Sequence, residues 1–483
     1  MNNVPSQPTL PSYITSAVPN PPEKRAPWYK NTAPTYAGIF LWFVFWQQAV
    51  ATKQGNLGGS LAQGVGWALV TLVFAALVCH FLFYLVPGLF GMKTGLPLYI
   101  VGTSTFGAQG GFIMPGFLMG VLQFGWLGVN TYFSSVALEA FTGIPSRLIM
   151  VVWAVLAAFV GLKGIQYVAR VATYLPLIPL AILLYLLVNT IGGLAGFEPA
   201  KLIAAHQKLA ANAPEALGLF GVLAFMLTYV VGFFATAGAA GVDFGLNNRD
   251  KKDVQMGGLV GITLAVVVTA GLWILIVAGS YGSEEISKRA VELATAQKGN
   301  LPLAVAAPDS PSLIAAILGS KAAGVIMFLL ALAAFPPACF SSFIAANSFK
   351  TTLPKVNPFV SVGIGAAVSI VLAVTEQAGK AVTVFEIIGA SFGPICGAMM
   401  VDYLLNHGQW TGPRAGFNPA GWIAWALGFI VGILPVLGVA FPAAPVAAFI
   451  VGAVVYFICA KAGLLTQVVP LPAASSQAGG AGS

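Results

Sequence analysis

Apolar residues recur in stretches of about twenty, separated by short polar turns, and this spacing predicts bilayer-crossing helices rather than the short alternating segments of an outer-membrane barrel. About twelve spans are expected, at 33–51, 62–86, 110–137, 147–163, 167–190, 217–242, 254–282, 311–335 with an extension to 349, 356–375, 382–405, 421–439 and 441–460. The fold class is therefore all-α and membrane-integral. A long polar connection, 192–216, closes the fifth span, and the segment LNHGQWTGPRAGFNPAG closes the tenth. A five-span unit repeated within one chain must sit inverted the second time, the arrangement that gives many secondary transporters two gates around a midplane site. The expected organisation is a tail at 1–32, a ten-helix transport core at 33–405 built from repeats 33–191 and 217–405, a helix pair at 421–460 and a disordered Ala/Gly/Ser/Pro tail at 470–483. Between the seventh and eighth spans, SEEISKRAVELATAQKG (283–299) predicts an amphipathic helix outside the membrane, with acids in its first turn as the helix dipole favours.

Composition strengthens the membrane reading. Of the 483 residues, 58% are hydrophobic and only 7% charged, against about 25% charged in soluble domains, and the mean hydropathy is +0.88. The first 32 residues are polar and Pro-rich and show no signal-peptide pattern. Placing them in the cytoplasm also places Lys93, Lys163, Arg170, Arg249, Lys251, Lys252, Lys350, Lys355, Arg414 and Lys461 there in short loops, as the positive-inside rule requires. The expected location is the inner or plasma membrane, multi-pass, with both termini cytoplasmic. The net charge of +8 is thereby a topology signal; no basic stripe interleaved with aromatics points to nucleic acid, and no obligate protein partner is evident. Cys79, Cys339, Cys396 and Cys459 stand isolated in apolar runs without zinc or disulfide spacing.

Polar side chains inside such spans mark candidate chemistry, because they are costly in a bilayer unless they face a cavity or a partner. Gln123, Trp126 and Asn130 fall at i, i+3 and i+7 and share one face of the third span. An indole offers a stacking surface and a carboxamide offers both donor and acceptor, so together they suit a flat polar solute. Hydrogen bonding between helices accounts for such amides equally well. Gln47 and Gln48 interrupt the first span, and GFFATAGAAGVDFG in the sixth is rich in small residues that permit either a helix break or close packing. His80 in the second span is a candidate for proton coupling. Glu386, Asp243 and Asp402 are read as structural or gating groups. No nucleophilic triad, HExxH or phosphate-loop spacing occurs, so an enzyme is not expected.

The segment GMKTGLPLYIVGTSTFGAQGGFIMPGFLMGVLQFGWLGVNTYFSS resembles the loop and third helix of the nucleobase:cation symporter family, the cytosine, purine, allantoin and hydantoin permeases. RAPWYKNTAP before the first span, GFFATAGAAGVDF in the sixth and GPICGAMMVDYLL in the tenth are similar in order. The resemblance implies a LeuT-like fold with the first and sixth spans unwound at the centre and substrate held among spans one, three, six and eight. It implies that Trp126 stacks on the solute ring, that Asn130 bonds its edge, and that Phe234 closes the sandwich with Thr236 nearby. Gln47 and Gln48 fall in the region of the first break. Span eight departs from the family pattern. Ala333 and Ala334 occupy the ion-ligand positions and Ala338 and Cys339 the amide positions, and alanine side chains offer no oxygen to a hard cation.

The function implied is a permease importing a small planar nitrogen-containing solute such as a nucleobase or hydantoin by alternating access. No cofactor is expected, and the coupling ion, H+ or Na+, stays open. The rival readings are a LeuT-like carrier of another amine, amino acid or vitamin-like solute, and a transporter-derived sensor or channel.

Overall fold

The computed structural model describes residues 10–41, 46, 50, 55–164, 167–168, 174–209, 212–297 and 310–471. The long apolar runs form helices: α1 (Thr32–Phe40), α2 (Val65–Thr94), α3 (Phe112–Thr142), α4 (Ser146–Lys163), α5 (Leu177–Gly196), α6 (Leu219–Ala239), α7 (Lys251–Gly282), α8 (Ser320–Thr352), α9 (Pro358–Val374), α10 (Ala381–Leu405), α11 (Pro419–Ile433) and α12 (Ala444–Lys461). Among the described residues, nine of these are long and apolar enough to cross a membrane, and α9 and α11 are shorter apolar helices. Burial shows which are central. In α6 and α10, 78% of the spanning window is buried, against 28% in α4 and α5, whose Leu148, Val152, Phe159, Tyr185 and Val188 face outward as a lipid-facing surface requires.

Four helices carry π-turns: Cys79–Tyr84 in α2, Phe112–Phe117 in α3, Leu227–Val231 in α6 and Leu259–Leu264 in α7. Each adds a residue to a turn and rotates every side chain that follows. Three of these turns are tied to a neighbouring helix, for the Cys79 thiol donates to the Val230 carbonyl and Thr263 to that of Ala76.

Two features differ from the sequence reading. The expected eighth span, 311–335 extended to 349, is two helices: Ser310–Leu318 ends at Gly319, whose φ of +87° only glycine adopts without strain, and α8 begins at Ser320. From there α8 runs unbroken through Pro336 and Pro337 to Thr352, lying along α3. The N-terminal segment, read as a polar tail, is a strap across one face from residue 10 on. Asn20 N–H donates to Gly95, the Arg25 guanidinium to Met92, Ala26 N–H to Asn247, and Trp28 N–H to the Asp253 carboxylate. Near its start, Tyr13 donates to the Ala108 carbonyl, and burial raises the pKa of that phenol. The predicted helix outside the membrane forms at Glu284–Gln297.

At the strap face the last helices are locked to the loop before α3. Asp402 on α10 accepts from Ser104 at 2.6 Å and Tyr456 at 2.9 Å and lies 3.9 Å from the Arg414 guanidinium. Arg414 donates in turn to the carbonyls of Ser104 and Thr466. The donors to Asp402 come from the loop before α3, from α12 and from Asn406 at the end of α10, and this satisfaction is the condition for keeping such a pair in an apolar setting.

Candidate functional site

The site is built where α3 passes α6 and α10. α6 carries small residues where α10 crosses: a Cβ on Gly232 would come within 2.6 Å of the Phe385 carbonyl oxygen, so only glycine permits this approach. The approach sets Phe385 against the α3 indole. Trp126 and Phe385 lie 5.4 Å apart at 34°, Trp126 and Phe233 4.9 Å apart edge to face, and Phe233 and Phe385 5.3 Å apart. Phe40, the last residue of α1, adds a fourth ring 5.4 Å from Phe233. Trp46 folds back to donate its indole N–H to the Phe40 carbonyl at 3.1 Å and packs on Phe233 and Tyr229. Trp126 is only partly buried, while its neighbours Leu127 and Thr236 are buried. Part of the indole is left open.

Polar groups are few and mostly committed. Trp126 Nε1 donates to Thr236 Oγ1 at 3.0 Å, so two residues singled out by sequence do meet, across α3 and α6. Asn130 is engaged elsewhere. Its Nδ2 donates to the Ala334 carbonyl on α8 at 2.9 Å, and its Oδ1 accepts from Trp153 Nε1 at 3.1 Å and Ser134 at 3.3 Å. In this state the amide joins α3, α4 and α8 instead of presenting itself to a ring edge. Among the described residues Gln123, also buried, bonds to the Met119 sulfur one turn away, at 3.6 Å. Gln47 and Gln48 lie outside the described residues.

The α6 ring that meets Trp126 is Phe233. Phe234, the expected partner, instead lies 5.8 Å from both Tyr36 and Phe40. The π-turn at Leu227–Val231 lies just upstream, and its extra residue rotates the helix phase that a uniform 3.6-residue count assumes. Phe233, Phe385, Phe40 and Trp46 were not singled out by sequence. The only signal for them was aromatic density next to small residues.

α6 ends at Ala239, Ala240 forms a turn, and Gly241–Gly245 resumes as a short helix. In an unbroken helix the Ala237 carbonyl would accept from Gly241; here it accepts from the Tyr36 hydroxyl of α1 at 2.8 Å. Two more bonds hold α1 to the loop that follows: Thr32 donates to Asn248 Oδ1 at 2.6 Å and Asn31 to the Phe244 carbonyl at 3.2 Å. The small residues of this stretch thus serve both expected roles, since Gly245, in the short helix after the break, packs directly against the Gly88 backbone.

On α8, Ala333 and Ala334 are buried. Their side chains carry no oxygen, but their backbone does. The carbonyl of Ala333 finds prolines, Pro336 and Pro337, at both i+3 and i+4, so neither backbone N–H that a helix would supply exists. His80 is buried in the π-turn of α2, packed on Phe81 and Tyr84, with its Nδ1 unpartnered. A Cβ on Gly258 would lie 2.4 Å from that nitrogen, which places the imidazole against α7 and away from the Trp126 cluster. Among the described residues no group of three or more His, Cys, Asp or Glu is arranged to hold a metal.

No family model matches the chain. Over 201 residues, 40% of this chain, it is 27% identical to the cytosine permease of Escherichia coli K12, and the match spans 44% of that permease; the same figures hold for the cytosine permeases of two further E. coli strains. The chain thus aligns with less than half the length of these relatives. Its fold matches that of Mhp1, described as a nucleobase-cation-symport-1 family transporter, in an inward-facing conformation with a TM-score of 0.59 at 16% identity over 97% of this chain and 99% of that one. Part of the chain is thus similar in sequence to cytosine permeases, and nearly all of it has the fold of Mhp1. A closed Mhp1 with bromovinylhydantoin bound matches at a TM-score of 0.57 and 16% identity, over 94% of this chain and 97% of that one. A Na+-coupled sialic acid symporter, outward-open with substrate bound, matches at 0.56 and 13%, over 93% and 92%. At these identities the structural matches establish the fold, and the chain is a multi-pass, all-helical membrane protein of the LeuT-like type.

Proposed function

We propose that the chain is a secondary transporter that imports a small, planar, nitrogen-containing solute of the nucleobase or hydantoin class, with both termini in the cytoplasm. The observation that carries this reading is the partly open Trp126 indole, walled by Phe233 and Phe385 and bonded to Thr236 beside the break in α6. Flat apolar walls with one or two hydrogen-bonding groups at the edge suit a heteroaromatic ring, and they hold it by stacking more than by polar contacts. The similar proteins, a cytosine permease and a hydantoin-bound symporter, agree with that chemistry.

Transport requires no covalent step. The solute needs only to interact differently with the two gate states. In the described state, the strap-face end of α1 is held to α6 and the following loop by Tyr36, Thr32 and Asn31, so this face is the closed one. With Asn130 committed to Ala334 and the Trp126 N–H to Thr236, the polar reading of the solute falls to the Thr236 hydroxyl and Gln123, and to Gln47 and Gln48 if the first span brings them near. For the coupling ion, the freed Ala333 carbonyl supplies the oxygen that its side chain lacks, and His80 is the proton-carrying alternative.

The test is ligand-induced thermal stabilisation of the purified chain with cytosine, uracil, hypoxanthine, allantoin and bromovinylhydantoin, since a ligand that binds the native state raises its apparent stability. At least one of these stabilises the parent and none stabilises a folded Trp126→Ala variant. Equal stabilisation of parent and variant places the site elsewhere.

A further inference from the structure

The transport reading leaves one set of charges unused. α4, α8 and α9 pack together through Leu162, Ala158, Ala346, Val362 and Ala366. Toward the strap face, the next turns and the connecting loop carry Lys163, Lys350 and Lys355, all exposed. Lys163 Nζ lies 5.0 Å from the centre of the Phe359 ring. None of the ion pairs among the described residues involves these three lysines.

The sequence explains why. From Ala140 to Phe197, and again from Ser310 to Thr375, the chain contains no Asp or Glu. α4, α5, α8 and α9 therefore offer no carboxylate at this end, and the one acid on α3, Glu139, lies at the opposite end of that helix. The other basic loop at this face is different, because Arg249 pairs with Asp253 at 2.7 Å. Around the three lysines, Leu353, Val356, Phe359 and Val360 are exposed apolar residues. Cations beside an apolar collar, one of them over a ring, form the pattern of a membrane interface that meets headgroups.

We propose that Lys163, Lys350 and Lys355 form a binding site for the headgroup of an anionic phospholipid, with its acyl chains against the α8–α9 collar. The phosphodiester supplies the negative charge that the protein omits here, and the apolar collar distinguishes a lipid from a free phosphate. Occupancy ties together α4, α8 and α9, the helices against which α3 and its indole are set.

The experiment is native mass spectrometry of the full chain released from bilayers of equal phosphatidylglycerol and phosphatidylcholine, which reads lipid retention without reference to transport. The parent retains phosphatidylglycerol about tenfold over phosphatidylcholine, and 1 mM glycerol phosphate does not displace it. The triple variant Lys163→Gln/Lys350→Gln/Lys355→Gln loses the preference. The variant Lys24→Gln/Lys251→Gln/Lys252→Gln, altered at the same face, keeps it, as does the charge-preserving Lys163→Arg/Lys350→Arg/Lys355→Arg. Undiminished preference in the first variant, equal loss in the second, or displacement by glycerol phosphate overturns the proposal.

Discussion

Replacing Tyr36 with phenylalanine removes one oxygen and leaves the ring where it is, 4.8 Å from Phe244, 5.3 Å from Tyr84 and 5.8 Å from Phe234. What disappears is the 2.8 Å bond to the Ala237 carbonyl at the break in α6. The bond is partly buried, and an acceptor left without its donor away from water costs about 1–3 kcal/mol. If α1 and α6 separate when this face opens, water replaces the phenol there, and the cost falls on the closed state alone. The closed-to-open ratio then shifts about 5- to 150-fold. Cys396 reports the change, because it is fully buried and within electrostatic range of Tyr36. With Cys79, Cys339 and Cys459 replaced by alanine, maleimide applied from the strap face labels Cys396 at a rate that follows the open population. The rate rises by the same factor in Tyr36→Phe and stays unchanged in Thr35→Val, whose hydroxyl bonds only within its own turn. A Tyr36→Phe rate within about twofold of the parent, with the melting temperature unchanged, refutes the assignment of this bond to the gate.

Asn130→Ala removes the donor to Ala334 and the acceptor for Trp153, so it costs about 2–4 kcal/mol of stability, read as a lowered melting temperature without solute; a variant that melts normally but fails to bind solute contradicts the structural role. On the face opposite the strap, His206 accepts the Gly58 N–H at 3.1 Å, and burial lowers its pKa from 6.5 to about 4. The neutral form is therefore the one the fold holds. The stability of this cap is full above pH 6.5 and falls as pH drops toward 4, by about 3 kcal/mol. Hydrogen exchange in Pro199–Leu209 should accelerate over that window in the parent and not in His206→Gln, and identical profiles count against it. Pro337→Ala restores a backbone N–H for the Ala333 carbonyl. If that oxygen holds the coupling cation, the concentration giving half-maximal uptake rises about tenfold, and an unchanged value excludes it.

The membrane helices were legible because each needs about twenty apolar residues, and that demand is written directly in the sequence. The shared face of Gln123, Trp126 and Asn130 was legible for the same reason of simple periodicity. What each side chain on that face does was not. Asn130 and the Ala334 carbonyl are 204 positions apart, and no local pattern records which neighbour an amide meets. Phe233 and Phe234 are adjacent, and the choice between them depends on a π-turn with no distinctive residue type. The strap at 10–31 is held largely through backbone carbonyls such as Gly95, Met92 and Asn247, which every residue possesses, so its polar composition reads as a free tail. On α8 the alanines drew attention to missing side-chain oxygens, while the adjacent prolines, equally visible in the sequence, free a backbone oxygen at the same position.

The most direct test of the transport claim is uptake of labelled cytosine, uracil, hypoxanthine, allantoin and hydantoins into proteoliposomes, with Na+ and H+ gradients imposed separately. The account predicts that at least one solute accumulates saturably above its external concentration under one gradient. Dissipating that gradient should abolish accumulation, as should Trp126→Ala in protein that remains folded. Equilibration of every solute without saturation, or undiminished accumulation by Trp126→Ala, would contradict it.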